Sequence, residues 1–140
     1  MTIVLCYSMQ FAEKAKEVSE WFGAHGHTAH TSVFNNAFLG KTDEEKEKIK
    51  LKQKYEQDAL REHWNIIKIS DAILVLNYDK HGVKNYIGGN AFLEMGFAYV
   101  LKKPIYLLRE IPHMPYYETE IIGMKPIIIH GDLKNVISSL

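Results

Sequence analysis

The sequence predicts a single α/β domain over residues 1–140, a three-layer sandwich in which helices cover both faces of a parallel sheet. Two observations predict this architecture. Short apolar runs alternate with helical patterns along the chain, and the run Ala72–Leu76 is continuously apolar, as expected for a strand buried on both faces. The chain has no internal repeat, low-complexity segment or linker, so one Rossmann-like or flavodoxin-like unit is expected.

About five strands are expected, each a short run rich in apolar residues. In chain order they are Ile3–Tyr7, His27–Thr31, Ala72–Leu76, Pro104–Leu108 and Ile127–His130. Ligands of such sheets bind beyond the carboxyl ends of the strands, where the strand order reverses. The loops after the first and third strands, residues 7–10 and 77–90, are therefore predicted to form the binding site.

The longest helical signal runs from Thr42 to Lys68. Thr42 and Glu45 form a capping box at its start. The Lys/Glu run over residues 41–54 is interpreted as a solvated helix face stabilised by charge pairs four residues apart. Five apolar positions predict the buried stripe of this helix: Ile49, Tyr55, Leu60, Trp64 and Ile67. Other helices are predicted over residues 11–22, 90–101 and 117–123 and after residue 132.

Composition argues against several classes of function. The chain balances 17 basic against 17 acidic residues, which gives no electrostatic reason to expect nucleic acid or a membrane surface as a partner. No apolar run approaches the roughly 20 residues of a membrane span, and the N-terminus does not resemble a signal peptide. Cys6 is the only cysteine, so it is expected to be a buried strand residue in a reducing, cytoplasmic protein.

The seven histidines do not predict a metal site. His25, His27 and His30 are the densest group, but their spacing matches no closed zinc site, and no cysteine or acidic residue lies near them. His63 is expected to pack or cap within the long helix. No cofactor is expected.

The most informative segment covers residues 70–108. It contains an apolar strand preceded by Ser-Asp, a Gly-rich turn, a helix with the stretch Glu-Met-Gly-Phe-Ala at 94–98, and Lys-Pro before the next strand. Ser-Met-Gln-Phe at 8–11 and Gly-His at 26–27 add matching pieces. In this order the pieces resemble the nucleoside 2-deoxyribosyltransferase family, including its relatives that hydrolyse nucleotide N-glycosidic bonds.

This resemblance implies that Glu94 is the catalytic nucleophile. The N-glycosidic bond breaks through an oxocarbenium-like state, which a carboxylate on the opposite face of the sugar can capture covalently. Glu94 is predicted to lie in the first turn of its helix, where the positive end of the helix favours the ionised form. The alternative for Glu94 is a surface glutamate at a helix N-terminus.

Two aspartates are candidates for the general acid. Asp71 corresponds by position to an aspartate that helps to protonate the leaving base in the transferases, although it precedes its strand. Asp79 follows the same strand and is the rival for this role or for holding the sugar. Substrate contacts are expected from Ser8, Met9, Asn77, Tyr86, Gly88, Gly89 and Asn90. For Ser8, capping the next helix is an equal alternative.

Gly88 is a departure from the family pattern. The transferases typically carry an acidic residue six positions before the nucleophile, where it holds the 5′-hydroxyl of the sugar. A carboxylate there would repel a phosphate, whereas glycine leaves room and exposes N–H groups. Gly88 therefore shifts the expected substrate toward a nucleoside 5′-monophosphate. The resemblance also implies 2′-deoxy sugars and a homodimer or higher homo-oligomer.

The expected function is cleavage of the N-glycosidic bond of a (deoxy)nucleoside or nucleoside 5′-monophosphate, as a hydrolase or a deoxyribosyltransferase. Its partner would be a small-molecule nucleoside or nucleotide. The alternative is a nucleotide-binding or sensing module on the same fold, without turnover. A kinase is disfavoured because the sequence contains no Walker-type Gly-x-x-x-x-Gly-Lys-Ser/Thr loop.

Overall fold

The computed structural model describes residues 1–32, 35–56 and 58–139, and its strands form one parallel sheet. These strands are Thr2–Cys6 (β1), Thr28–His30 (β2), Ala72–Val75 (β3), Ile105–Leu107 (β4) and Ile127–Ile128 (β5). Their order is β2-β1-β3-β4-β5, with every neighbouring pair parallel. The predicted fold class is confirmed, and each strand lies within its predicted run or starts one residue before it.

Helices connect the strands and cover the sheet. A short 3₁₀ turn at Met9–Phe11 precedes Ala12–Ala24 (α1), and the others are Asp43–Glu56 (α2), Ala59–Lys68 (α3), Gly89–Val100 (α4), Glu118–Gly123 (α5) and Lys134–Ser138 (α6). Of the helices in the described ranges, none is both long enough and apolar enough to cross a membrane.

The strand order reverses between β1 and β3, because the chain first adds β2 on one side of β1 and then β3 on the other. Alternate residues of these two central strands point to opposite faces. Leu5 and Leu74 join the apolar layer that includes Phe22 of α1, while Val4 and Ile73 join the layer that includes Met95 of α4. Both faces of the sheet are thus buried, and the crevice at the carboxyl ends of β1 and β3 lies between the two packed layers.

The predicted long helix is two helices. α2 ends at Glu56 and α3 begins at Ala59, and between them Asp58 adopts a left-handed conformation with φ of +50°. Residue 57 lies outside the described residues. The prediction missed the break because the sequence here contains no glycine or proline, the usual signals that a helix ends.

The predicted stripe of α2 is wrong in part, whereas its cap is confirmed. Tyr55 is 89 % exposed, and the buried α2 positions are the polar residues Lys46 and Gln53. α2 therefore turns polar side chains inward, toward the carboxyl edge of the sheet. At its start, the backbone amides of Thr42 and Glu45 each donate to the other's side-chain oxygen at 3.2 Å.

Candidate active site

A cavity of ≈ 170 Å³ opens at the carboxyl ends of β1 and β3, where the loops were predicted to form a site. Its wall is formed by the loops after β1 and β3, the start of α4, and parts of α2 and α3. The lining residues are Tyr7, Ser8, Met9, Ser32, Lys50, Gln53, Lys54, Ala59, His63, Lys80, Tyr86, Gly88, Gly89, Asn90 and Ala91. Six of the seven predicted substrate contacts are among them, and Asn77 is the exception.

Glu94 lies directly behind this wall. Its side chain is nearly inaccessible, at 2 % exposure, and it is not one of the lining residues. Two residues that do line the cavity contact its Oε1, with Asn90 Nδ2 at 2.8 Å and His63 Nδ1 at 3.2 Å. A buried carboxylate requires such partners, because burial without them is costly. The alternative of a surface glutamate is therefore wrong.

The position of Glu94 in α4 differs from the prediction. The helix begins at Gly89, so Glu94 lies in the second turn and not in the first. The favourable effect of a helix N-terminus on a carboxylate falls off within the first turn. The groups that contact the Glu94 carboxyl are instead side chains, among them His63 and Asn90.

His63 joins Glu94 to Ser32. Its Nδ1 lies 3.2 Å from Glu94 Oε1 and its Nε2 lies 3.0 Å from Ser32 Oγ. An ionised carboxylate only accepts hydrogen bonds, so a proton is assigned to His63 Nδ1, and Nε2 faces the Ser32 hydroxyl.

The sequence predicts a packing or capping role for His63 and gives no indication of a role for Ser32. One signal was available for His63. It lies four residues before the fully buried Ile67, so both side chains share the inner face of α3. A histidine on an apolar helix face needs a polar partner inside the protein.

Cys6 and Tyr7, at the end of β1, complete the surroundings of Glu94. Burial raises the pKa of the Cys6 thiol, and the charge of Glu94 and a hydrogen bond with it add to the rise. Burial also raises the pKa of Tyr7, whose hydroxyl donates to Asn35 Oδ1 and accepts from the Ser32 amide. Cys6 is buried, as predicted.

Three lysines give the cavity a positive wall. Lys50 and Lys54 come from α2, and Lys80 comes from the loop after β3. Partial burial, followed by the charge of Lys50, lowers the pKa of both Lys54 and Lys80. Partly buried ammonium groups around one cavity repel one another, and a bound anion would offset this repulsion.

Ser8 belongs to this charged part of the wall. Its hydroxyl bonds with the Lys80 ammonium and with Gln10. Its side chain makes no capping hydrogen bond to the following 3₁₀ turn, so the capping alternative is wrong. Ser8 thus shares with Lys80 the position from which an anion would be contacted.

Gly88 lies against the ring of Tyr86. A Cβ atom at Gly88 would lie 3.1 Å from a ring carbon of Tyr86, which is tighter than ordinary side-chain packing. The absent side chain therefore makes room for Tyr86, while Gly88 also lines the cavity, and its place beside a phosphate stays a prediction. A Cβ at Gly89, in contrast, would meet open space.

The structure places both candidate aspartates outside the cavity. Asp71 Oδ2 accepts from the Thr2 amide at 2.8 Å, at the amino ends of β3 and β1 and thus at the edge of the sheet opposite the cavity. Asp79 is exposed, and its Oδ1 accepts from the Asn85 amide at 2.9 Å. Their contacts stabilise a strand edge and a loop, respectively.

Asn77 is also structural in its contacts. Its side chain is fully buried and bonds with the backbone N–H and C=O of Arg109 and the C=O of Glu110. These bonds tie the loop after β3 to the loop after β4, which accounts for a buried amide just beyond a strand.

The histidine group near the N-terminus makes other contacts. His25 stacks on Trp21 with ring centroids 3.9 Å apart, and His27 contacts the terminal amine. Across residues 1–32, 35–56 and 58–139, no three His, Cys, Asp or Glu side chains are grouped so as to hold a metal ion.

No family model matches the sequence, and no curated protein matches it by sequence. A solved structure does match the fold. The CMP N-glycosidase BcmB from Clostridium botulinum aligns with 99 % of this chain over 96 % of its own length, with a TM-score of 0.56 and 17 % sequence identity. The two chains share a fold. At this identity the similarity establishes the architecture, a five-stranded parallel α/β sandwich, and no residue role.

Proposed function

We propose that this protein cleaves the N-glycosidic bond of a nucleoside 5′-monophosphate with Glu94 as the nucleophile. The observation that carries the proposal is the environment of Glu94, a buried carboxylate held through Oε1 by His63 and Asn90 beside a lysine-lined cavity. The solved counterpart acts on CMP, which supports this class of reaction on this fold. The resemblance of residues 94–98 to the deoxyribosyltransferase family supports the same choice of nucleophile.

The proposed reaction has two steps. An oxygen of Glu94 bonds to C1′ on the face opposite the base, and the C1′–N bond breaks with its electron pair leaving on the base, which takes up a proton. Water then attacks C1′, a proton leaves the water, and Glu94 is released as a carboxylate. In a transferase a second free base would take the place of water. We propose hydrolysis, because a cavity that binds a phosphate fits the relatives of the deoxyribosyltransferases that hydrolyse nucleotides.

The cavity wall must change slightly for this chemistry. Reacting atoms have to come within about 3 to 3.5 Å, yet Glu94 is screened by the two side chains that hold it. Catalytic contacts often tighten only once the substrate is bound. A substrate complex is therefore expected to show a small shift of the side chains that line the cavity, with an oxygen of Glu94 facing C1′ and the contacts of Glu94 with His63 and Asn90 kept.

The lysines support a phosphorylated substrate. Lys80 contacts Ser8 and Lys50 pairs with Glu47 at 2.8 Å, whereas Lys54 makes no hydrogen bond or salt bridge within the described residues. A phosphate carries two charges near neutral pH and several acceptor oxygens, which suits a cluster of ammonium groups. An uncharged nucleoside would leave this repulsion in place.

The test is chromatography for released base. The purified protein is incubated with each ribo- and deoxyribonucleoside and with its 5′-monophosphate, in parallel with Glu94→Gln and with Asp71→Asn as a matched acidic control outside the cavity. Base release from monophosphates by the parent and Asp71→Asn, and its loss in Glu94→Gln, is the expected result. Parallel reactions contain a second free base, and exchange found only there would make the protein a transferase.

The same experiment separates the enzyme from a binding module. If no substrate releases its base and nucleotide affinity is the same in the parent and in Glu94→Gln, the enzyme proposal fails. A nucleotide-binding or sensing module then becomes the better account. The screened position of Glu94 is the observation that favours this alternative.

A second candidate reaction, acyl hydrolysis, rests on the order Ser32–His63–Glu94. Ser32 Oγ bonds Nε2 and Glu94 bonds Nδ1, as in a serine hydrolase triad. The Ser32 amide, however, donates to Tyr7 and is not free to stabilise an oxyanion. Hydrolysis of p-nitrophenyl acetate that is lost in Ser32→Ala would establish this reaction, and nucleotide cleavage that persists in Ser32→Ala would separate the two.

We also propose a homodimer through the outer face of α4. This helix is apolar on nearly all sides, and it leaves Leu93, Tyr99 and Val100 exposed at 46 %, 55 % and 74 %. A helix that is apolar all round is normally covered. Light scattering is expected to give a dimer for the parent and a monomer for Val100→Glu, with the exposed α2 change Lys52→Glu as the control.

A further inference from the structure

The nitrogen and the oxygen of the Asn90 side-chain amide differ in their hydrogen bonding. Its Nδ2 donates to Glu94 Oε1 at 2.8 Å, while its Oδ1 is buried without a hydrogen-bond donor among the described residues. It is the only such side-chain atom found in that part of the chain. An unpaired buried acceptor is costly, so a donor that arrives there is favoured.

The orientation of the amide is fixed by chemistry. The two ends of an asparagine are assigned from their hydrogen bonds, and the reverse orientation would set Oδ1 against the acceptor oxygen of Glu94. Oδ1 is therefore the free end. Asn90 forms part of the cavity wall, so its side chain borders the space that a ligand would fill.

The sugar that Glu94 would attack carries a hydroxyl group next to C1′ on the attacked face. The nucleophile approaches C1′ from the face opposite the base, and in a ribonucleoside the 2′-hydroxyl lies on that face, on the neighbouring carbon. A side chain in contact with the nucleophile oxygen is thus positioned next to this hydroxyl. Hydrogen bonds to the corresponding 2-hydroxyl strengthen in the transition state of glycoside hydrolysis.

We infer that Asn90 accepts a hydrogen bond from the 2′-hydroxyl of the sugar and makes the protein selective for ribonucleotides over 2′-deoxyribonucleotides. This inference rests on the proposed function. It runs against the 2′-deoxy sugars that the family resemblance implies. A polar site built for a hydroxyl rejects the analogue that lacks it, because the buried partner is left unpaired.

The test is the ratio of kcat/KM for a ribonucleoside 5′-monophosphate to that for its 2′-deoxy counterpart. It is measured for the parent, Asn90→Ala and Asn90→Ser on the base that is cleaved fastest. The parent is expected to favour the ribonucleotide, and the ratio is expected to fall by about 10-fold or more in Asn90→Ala. Asn90→Ser, which keeps an acceptor oxygen, is expected to retain part of the selectivity.

His63→Ala is the matched control, because it also removes a partner of Glu94 Oε1. It is expected to lower both rates and to leave the ratio unchanged. A ratio that is the same in the parent and in Asn90→Ala, with both nucleotides cleaved, would overturn the role of Asn90 and leave the proposed function standing.

If no nucleotide is cleaved, the proposed function fails, and the role of Asn90 is decided by calorimetric binding of the same nucleotide pairs. Tighter binding of the ribonucleotide that is lost in Asn90→Ala would support the contact. Equal preferences in the parent and the variant would overturn it.

Discussion

The side chains of His63 and Glu94 meet inside the protein, with Nδ1 3.2 Å from Oε1, although they are 31 positions apart in the sequence. The contact joins α3 to α4, and His63 also reaches Ser32 through its other nitrogen. Both side chains are nearly inaccessible, at 7 % and 2 % exposure. The loss of Glu94 would leave His63 Nδ1 without this buried partner, and the loss of His63 would leave Glu94 Oε1 with Asn90 but one hydrogen bond fewer.

Replacement of His63 is expected to slow turnover. A hydrogen bond to a charged group contributes about 1.5 to 3 kcal/mol, so His63→Ala is expected to lower kcat by about 10- to 100-fold if Glu94 is the nucleophile. His63→Gln, which keeps a donor, is expected to retain more activity. The measurement is steady-state kinetics on the best nucleotide, with circular dichroism to confirm folding. An unchanged kcat in a folded His63→Ala would contradict the role of this contact.

Lys54→Met is expected to stabilise the protein while weakening nucleotide binding. Lys50 and Lys54 are one helical turn apart, and a like-charged pair at this spacing destabilises a helix by about 0.2 to 0.5 kcal/mol. Removal of Lys54 should recover about this free energy of unfolding in urea and raise the Kd for a monophosphate. Lys52→Met, an exposed change on the same helix, is the control for nucleotide affinity. Unchanged affinity in Lys54→Met would argue against a phosphate beside the lysines.

The lowered pKa of Lys54 predicts how the free energy of unfolding depends on pH. The unfolded state holds this proton up to the ordinary lysine pKa of 10.5, whereas the folded state loses it at lower pH. The unfolded state therefore binds more protons between the two pKa values, and stability should rise with pH in that window. Urea unfolding at a series of pH values should show a smaller rise in Lys54→Met than in the parent and in Lys52→Met.

Cys6 is expected to be unreactive in the folded protein. Burial raises the pKa of its thiol, and the nearby Glu94 adds to the effect, so little thiolate is present or accessible at neutral pH. Ellman's reagent at pH 8 should label the thiol only after unfolding in guanidinium. Rapid labelling of the native protein would place Cys6 outside the interior and would contradict the packing beneath Glu94.

Asp71→Asn tests whether Asp71, a candidate general acid by its place in the sequence, takes part in turnover. The side chain accepts from the Thr2 amide at the edge of the sheet away from the cavity, so its charge is expected to matter for stability and not for turnover. A loss of about 1 kcal/mol or less in unfolding free energy is expected, with kcat/KM unchanged. Loss of turnover at unchanged stability would restore a catalytic role for Asp71.

The sheet and the place of the site could be predicted because they depend on local pattern. The apolar run Ala72–Leu76 signals a buried strand by itself, and the reversal of strand order locates the crevice. The break at Asp58 could not be predicted, because the sequence contains no strong helix terminator there.

The partners of Glu94 were the other missed feature. His63 meets Glu94 only after α3 and α4 pack together, and no spacing within one segment encodes such a contact. Gly88 shows the same limit, since its close approach to the ring of Tyr86 is a tertiary contact that the sequence does not indicate. Sequence pattern thus located the carboxylate, while its environment depends on tertiary packing.

The most direct test of the central claim is mass spectrometry of the quenched reaction. The parent and Glu94→Gln are incubated with the best nucleoside 5′-monophosphate, quenched in acid and digested. A sugar-phosphate ester is expected on the peptide that contains Glu94, together with released base, and neither product is expected in Glu94→Gln. Base released by Glu94→Gln at the parent's rate, with no adduct on that peptide, would contradict the central claim.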